Sequence, residues 1–516
     1  MNTLIWAGGS GSRVLEAILH LCAAGLGPQN LRILGIDTDG ANGNTSRMKG
    51  LLDMYLECHQ RFAGKLGNLR LFGTKLDLFD TEGGENVLKI WAPIQTGDTL
   101  SDLLNYDNLD ATKTPSDVVH LLFTEDELHT ELDRGFLGHT AIGAAAMSLL
   151  SLHANQQPWK QVIEKLRGDI AQLDGARVML VGSVFGGTGA SAIHPVARFL
   201  RTVPEANSAN LKIGVAALVP YFRFEKSTTS VDSKTKMTVK SEWFPLATRS
   251  SVQFYQHLRE NRDWQFDAIY WIGDNSPMEV SYSPGGSEQK NPAHFVDLLA
   301  AFSCLEFFEN PVTTKACYYS GPRQDVEPQL NERNLLDWLD IPFNYFAQDD
   351  IRTKLLQFFL AGFVHLGFCD ELLRMEDIDR RPFCVPWYLE RFALNDDWFA
   401  SQENLEALDL LTNYFKKYHF TWWDQIHRQE LVRLFNRAAI HKNSDDTADV
   451  ELNRIANLLW PDKSGEANLD NFDSFFTDMV RVPKTKGGNK GVATYLALLV
   501  HAAESYIKRE YKKTRK

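Results

Sequence analysis

Two kinds of hydrophobic pattern alternate along the first 310 residues. Short, nearly continuous apolar runs are typical of strands buried on both faces of a parallel sheet. They occur at residues 4–7, 31–36, 178–181, 211–219 and 266–272. Between these runs lie segments such as residues 13–24, whose apolar side chains recur at helical spacing. The alternation predicts an α/β fold, with a Rossmann-like parallel sheet flanked by helices.

The pattern changes after an almost wholly apolar segment at residues 291–308. Such a segment predicts a central helix that is buried on all sides. Residues 345–435 and 448–510 show helical spacing without alternating strands. We therefore expect two domains, an α/β domain at 1–310 that ends in the central helix and a mainly α-helical C-terminal region at 311–516.

Glycine-rich turns separate two of the predicted strands from the helices that follow them. Glycine lets the backbone approach a ligand closely, and the free N–H groups at a helix start attract anions. The two turns therefore predict a phosphate site. The first contains Gly8, Gly9, Ser10, Gly11 and Ser12, and the second contains Gly186, Gly187, Thr188 and Gly189.

Two further segments have the character of ligand loops. Asp37 and Asp39 follow the second predicted strand, and Gly138, His139 and Thr140 precede a helix rich in small residues. Acids at the end of the second strand also suit a dinucleotide enzyme, where a carboxylate binds the ribose. The acids alone therefore do not separate the two classes of protein.

In type and order, these segments resemble the loops of the tubulin/FtsZ superfamily. The phosphate loop of that superfamily has the consensus GGGTG(T/S)G between a strand and a helix, and Phe185 and Ser191 here replace its first and last glycines. The resemblance covers about residues 1–310. It implies a divergent prokaryotic, cytoplasmic GTPase of the cytoskeletal type, which binds GTP with Mg²⁺ and assembles into nucleotide-dependent filaments.

The resemblance also implies a role for each candidate residue. The backbone of both glycine turns would hold the phosphates, Thr188 would add a hydroxyl, and Asp37 or Asp39 would act near Mg²⁺ or the ribose. The turn at 138–140 would cover the terminal phosphate. The guanosine would be held by Asn275, Phe295 and Asp297, and Glu309 would be the catalytic acid that acts on a neighbouring subunit.

Two alternatives remain open at this point. A tubulin-like module could bind GTP without polymerising and act as a sensor or scaffold through its helical region. A Rossmann-type oxidoreductase is disfavoured, because the first turn lacks the third glycine of G-x-G-x-x-G. The turns also contain no Walker lysine, which excludes a P-loop mechanism.

Composition and charge bear on location and partners. The net charge of −12 argues against a general nucleic-acid binder, but residues 507–516 are strongly basic. That tail could bind DNA, an acidic protein or the filament itself, or it could be a solvated helix end. We expect no membrane span and no signal peptide, since a strand follows Met1 directly. The six cysteines show no CxxC pairing and are expected to be reduced cytoplasmic thiols.

Overall fold

The computed structural model describes most of the chain with some internal gaps. The described residues are 1–79, 87–94, 97–109, 114–132, 135–136, 138–203, 209–225, 241–274, 277–281, 283, 286–310, 312, 316–320, 351–373, 401–429, 432, 434–435, 440–443, 447–450, 470–482 and 491–514. Among the described helices, none combines the length and apolarity needed to cross a bilayer.

Twelve strands are present in the described residues. They are β1 (Asn2–Ala7), β2 (Asn30–Ile36), β3 (Lys75–Asp77), β4 (Ile90–Trp91), β5 (Ala176–Ser183), β6 (Leu211–Leu218), β7 (Phe222–Phe224), β8 (Ala268–Ile272), β9 (Met278–Val280), β10 (Ala316–Ser320), β11 (Ile440–Lys442) and β12 (Ala448–Val450). Eight of them form one sheet in the order β10-β8-β6-β5-β1-β2-β3, with β4 also paired to β2. Every pairing in this sheet is parallel, which confirms the predicted parallel sheet.

The helices of the N-terminal part cover both faces of the sheet. They are α1 (Gly8–Ala23), α2 (Gly43–Phe62), α3 (Leu100–Leu104), α4 (Thr114–Leu122), α5 (Glu125–Leu128), α6 (Thr140–Ser148), α7 (Trp159–Ile170), α8 (Thr188–Arg201), α9 (Phe244–Glu260) and α10 (Phe295–Glu309). Alternate residues of β1 enter separate cores, Leu4 and Trp6 on one side and Ile5 on the other. Helices α1, α2 and α10 cover the first face, and α7, α8 and α9 cover the second.

The chain after residue 310 is mainly helical where it is described. Its helices are α11 (Ile351–Val364), α12 (Asp370–Leu373), α13 (Gln402–Asn413), α14 (Phe420–His427), α15 (Asp470–Arg481) and α16 (Val492–Thr514). Their apolar side chains, such as Phe359 and Trp423, belong to the same core cluster as Leu4 and Trp6. In addition, β10 pairs with β8. The segment after 310 therefore completes the sheet as well as packing on its first face.

The basic segment at the C-terminus is part of α16 rather than an extended tail. Ile507 is buried, and the Arg509 Nη1 atom lies 2.7 Å from Asp478 Oδ2 on α15. The described residues of this segment therefore form the end of a helix, and a binding partner for its basic side chains stays a prediction. Residues 515–516 lie outside the described residues.

Candidate functional site

A pocket lies at the carboxyl edge of the sheet, where the strand order reverses between β1 and β5. Chain order runs outward from β1 through β2 to β3, and outward from β5 through β6 to β8 on the other side. Such reversal points are where open α/β sheets bind ligands. The predicted residues on the pocket wall are Gly8, Gly9, Ser10, Asp37, Asp39, Gly138, Gly186, Gly187, Thr188 and Gly189.

Two helices begin at this pocket. Gly8 opens α1 with a φ of +69°, a left-handed conformation that glycine adopts without steric cost. The residues before α1 and α8 are Ala7 and Gly187, and neither makes a side-chain cap. The first N–H groups of both helices therefore remain available to an anion in the pocket.

The turn before α6 meets the second glycine turn directly. A Cβ atom added at Gly187 would lie only 2.9 Å from Phe136 Cβ and 3.2 Å from the Gly138 nitrogen. Thr140 lies beside the pocket, and its hydroxyl donates to the Gly186 carbonyl at 3.4 Å. The structure thus brings together three turns that are far apart in the sequence.

Asp37 supplies an acidic group to the pocket from the end of β2. Its Oδ1 accepts a hydrogen bond from the Asp39 N–H at 3.2 Å, whereas Oδ2 has no hydrogen-bond partner within the described residues. Burial raises the pKa of Asp37 to about 7. Asp39 is held differently, because its Oδ2 accepts from the Gly286 N–H at 2.8 Å.

Carboxylates such as these two could hold a magnesium ion only together with further oxygen ligands. Mg²⁺ keeps several waters and is usually bound through one or two carboxylates together with substrate phosphates. Within the described residues, no group of three or more His, Cys, Asp or Glu side chains forms a protein-only metal cage. Asp37 Oδ2, which has no hydrogen-bond partner within the described residues, could contribute one of these oxygen ligands.

Sequence reasoning missed an amide-rich side of the pocket, formed by Asn42, Asn44, Gln289 and Asn291. Asn42 caps α2 by accepting from the Asn44 N–H at 3.0 Å, and its Nδ2 donates to Gln289 Oε1 at 2.8 Å. Asn44 Oδ1 accepts from the Asn291 N–H at 2.8 Å. The sequence Asp-Gly-Ala-Asn-Gly-Asn at 39–44 is typical of a helix N-cap. It gives no indication of the hydrogen bonds to Gln289 and Asn291, which lie far along the chain.

Sequence reasoning also missed an aromatic wall, defined here as Phe185, Phe222, Phe224 and Phe244. All four line the pocket, and the rings of Phe185 and Phe244 lie 4.8 Å apart. Phe185 is the residue that replaces the first glycine of the superfamily consensus. Arg13 of α1 also reaches this side of the pocket, with its guanidinium 5.2 Å from the centre of the Phe222 ring.

Asp297 and Phe295, which were predicted to face a nucleobase, are not among the residues that line the pocket. Asp297 has no exposed surface, and its carboxylate accepts from the His294 N–H at 2.9 Å and the Tyr221 hydroxyl at 2.7 Å. Its Oδ2 also lies 3.5 Å from Arg13 Nε. Phe295 is buried in the same core cluster as Leu4 and Trp6. Asp297 instead caps α10, a role that its place at the start of an apolar helix also fits.

Other predicted residues lie away from the pocket wall. Gly11 and Ser12 are buried within α1, and His139 Nδ1 lies 3.2 Å from Glu127 Oε1. Glu309 is exposed at the far end of α10. Asn275 lies outside the described residues.

No protein-family profile matches the chain, and a search of curated proteins finds no significant match.

Proposed function

We propose that this chain is a tubulin-like GTP-binding protein and a GTPase that assembles into nucleotide-dependent filaments. One observation carries the proposal: the glycine turns after β1 and β5 and the turn before α6 line a single pocket with Asp37 and Asp39. The sequence resemblance of those turns to the tubulin/FtsZ superfamily supplies the choice of nucleotide. A dehydrogenase fingerprint needs only the first of these turns.

In this proposal the backbone N–H groups of 8–10 and 186–189 hold the phosphates, and Thr188 adds its hydroxyl. Asp37 and Asp39 bind Mg²⁺, which neutralises part of the phosphate charge. Positioning and charge neutralisation account for most of the catalysis of phosphoryl transfer. We therefore expect nucleotide binding to depend on Mg²⁺.

Hydrolysis would require a second copy of the chain. Glu309 ends α10 at the opposite edge of the sheet, where Arg177 at the start of β5 donates to the Phe307 carbonyl at 2.6 Å. Glu309 therefore cannot reach the pocket of its own chain. Head-to-tail assembly would carry this exposed acid to the pocket of a neighbour, which links hydrolysis to filament formation.

The test combines binding with assembly. Calorimetry with GTP, GDP, ATP and NAD, with and without Mg²⁺, measures the affinity and selectivity of the pocket. Light scattering and negative-stain microscopy with GTP, GDP and a non-hydrolysable analogue then detect filaments. Filaments that form only with a triphosphate support the proposal, whereas tight NAD binding without GTP binding would overturn it.

A second candidate, a GTP-binding sensor or scaffold that does not polymerise, is favoured by two hydrogen bonds. The side chains of Gln425 and Gln429 accept from the backbone N–H groups of Ala293 and Phe295 at 2.8 and 3.3 Å. The helical region therefore touches the segment directly after Asn291, which lines the pocket. Tight GTP binding without assembly at any concentration would favour this candidate.

A further inference from the structure

Arg13 supplies a buried positive charge at the pocket that the proposed phosphate and Mg²⁺ contacts do not use. Its side chain is 2% exposed and forms part of the pocket wall. Helical side chains lean toward the helix N-terminus, so a residue in the second turn of α1 reaches back toward the glycine turn. A charge this deeply buried requires partners on every side.

Acceptors in the protein satisfy only some of the N–H donors of the Arg13 guanidinium. Nη2 donates to the Tyr221 hydroxyl, and Nε lies 3.5 Å from Asp297 Oδ2. Within the described part of the chain, Tyr221 is its one hydrogen-bond acceptor. Because a guanidinium carries five N–H donors, several remain for a ligand.

The surroundings of Arg13 suit a nucleobase better than a phosphate. The guanidinium carbon lies 5.2 Å from the ring centres of both Tyr221 and Phe222. The aromatic wall continues through Phe185, whose ring lies 5.6 Å from Phe222. Rings stack on planar bases, but they offer no hydrogen bonds to a phosphate oxygen.

We propose that Arg13 is a specificity-determining residue that donates hydrogen bonds to the O6 and N7 acceptors of guanine. This inference rests on the proposed function, since it assumes a purine nucleotide in the pocket. A planar guanidinium matches two adjacent acceptors, and arginine reads guanine in this way in DNA. Adenine presents an amino group in place of O6, so one donor would face another donor.

Nucleotide analogues test the inference on the unaltered protein. Inosine triphosphate keeps O6 and N7, and we expect it to bind about as well as GTP. The triphosphates of 2-aminopurine riboside and 7-deazaguanosine lack O6 and N7 respectively, and each should bind about 5- to 150-fold more weakly. The inference is overturned if inosine triphosphate is the weak ligand, because the 2-amino edge would then be read instead.

Arg13→Lys provides a second test, since it keeps the charge opposite Asp297 but loses the planar fork. We expect GTP affinity to fall about 5- to 150-fold and the affinity of the 2-aminopurine triphosphate to stay unchanged. Arg32→Lys is the matched control, because Arg32 pairs with Asp77 and Asp169 near the amino end of β2. It should alter neither affinity.

The possible failures are distinguishable. Equal losses for GTP, ATP and the 2-aminopurine analogue in Arg13→Lys would identify a phosphate contact and overturn the assignment, while GTP binding itself would stand. If the native protein binds no purine nucleotide, the proposed function fails together with the inference. Thermal unfolding verifies that Arg13→Lys is folded, and if it is not, the analogue series on the native protein decides.

Discussion

Replacing Asp37 by Asn should stabilise the nucleotide-free protein at neutral pH. Asp37 is 5% exposed, and burial raises the pKa of its carboxyl from 3.8 to about 7. The charged carboxylate is thus costly in the folded chain when no cation is bound. Asparagine is similar in shape and carries no charge, so it removes this cost.

The magnitude follows from linkage between proton binding and folding. An acid with a higher pKa in the folded state holds its proton more tightly when folded, so the free energy of unfolding decreases as pH rises between the two pKa values. The interval from 3.8 to about 7 corresponds to an upper limit of about 4 kcal/mol. We therefore expect Asp37→Asn to match the native chain at about pH 4 and to exceed its stability by up to that amount at about pH 8.

Urea unfolding at several pH values, without nucleotide or Mg²⁺, measures the difference between the two chains. Asp77→Asn is a control for which the expected change in the free energy of unfolding has the opposite sign. Burial alone would raise the pKa of Asp77, but the hydrogen bonds and charge of Lys165, with Arg32, lower it overall. That variant should lose stability at neutral pH, and the loss should vanish as pH falls through the lowered pKa. Parallel profiles for Asp37→Asn and the native chain would refute the buried-charge argument.

Three further predictions concern the pocket and its supports. Gly187→Val should abolish nucleotide binding in calorimetry, because its side chain would displace the turn at Phe136; unchanged GTP affinity would remove the phosphate role of this turn. Asp297→Ala should lower the free energy of unfolding in urea by about 3–5 kcal/mol, because it leaves the Arg13 charge buried without a counter-ion, and an unaltered midpoint would contradict this. Glu309→Gln should keep GTP affinity but slow phosphate release in assembled protein, and a loss of binding would show that Glu309 has another role.

Much of the fold could be predicted because burial on both sheet faces leaves a local signature. The apolar runs at β1, β5 and β6 need no knowledge of distant residues, and parallel pairing brings their carboxyl ends to one edge. Glycine turns after such strands must therefore lie near one another. The convergence of Gly8 and Gly187 on one pocket follows from this topology.

Side-chain partners could not be predicted in the same way. The role of Asp297 depends on Tyr221, which is 76 positions away, and on Arg13 at the other end of the domain. Local periodicity indicates that the helix is buried, but not whether an acid in its first turn faces a ligand or an internal cation. The aromatic wall could not be predicted for the same reason, since Phe244 and Phe185 are far apart in the sequence and come into contact only through the fold.

The contacts around the first turn of α10 bear on both candidate functions. Asn291 lines the pocket and donates its N–H to Asn44, while two residues later the Ala293 N–H donates to Gln425 of α14. A nucleotide that moves Asn291 would strain both hydrogen bonds, because only Pro292 separates the two donors. Filament assembly and a sensor role each need such a response outside the pocket. The helical region is therefore the first place to measure a nucleotide-dependent change, for example by hydrogen exchange in α14.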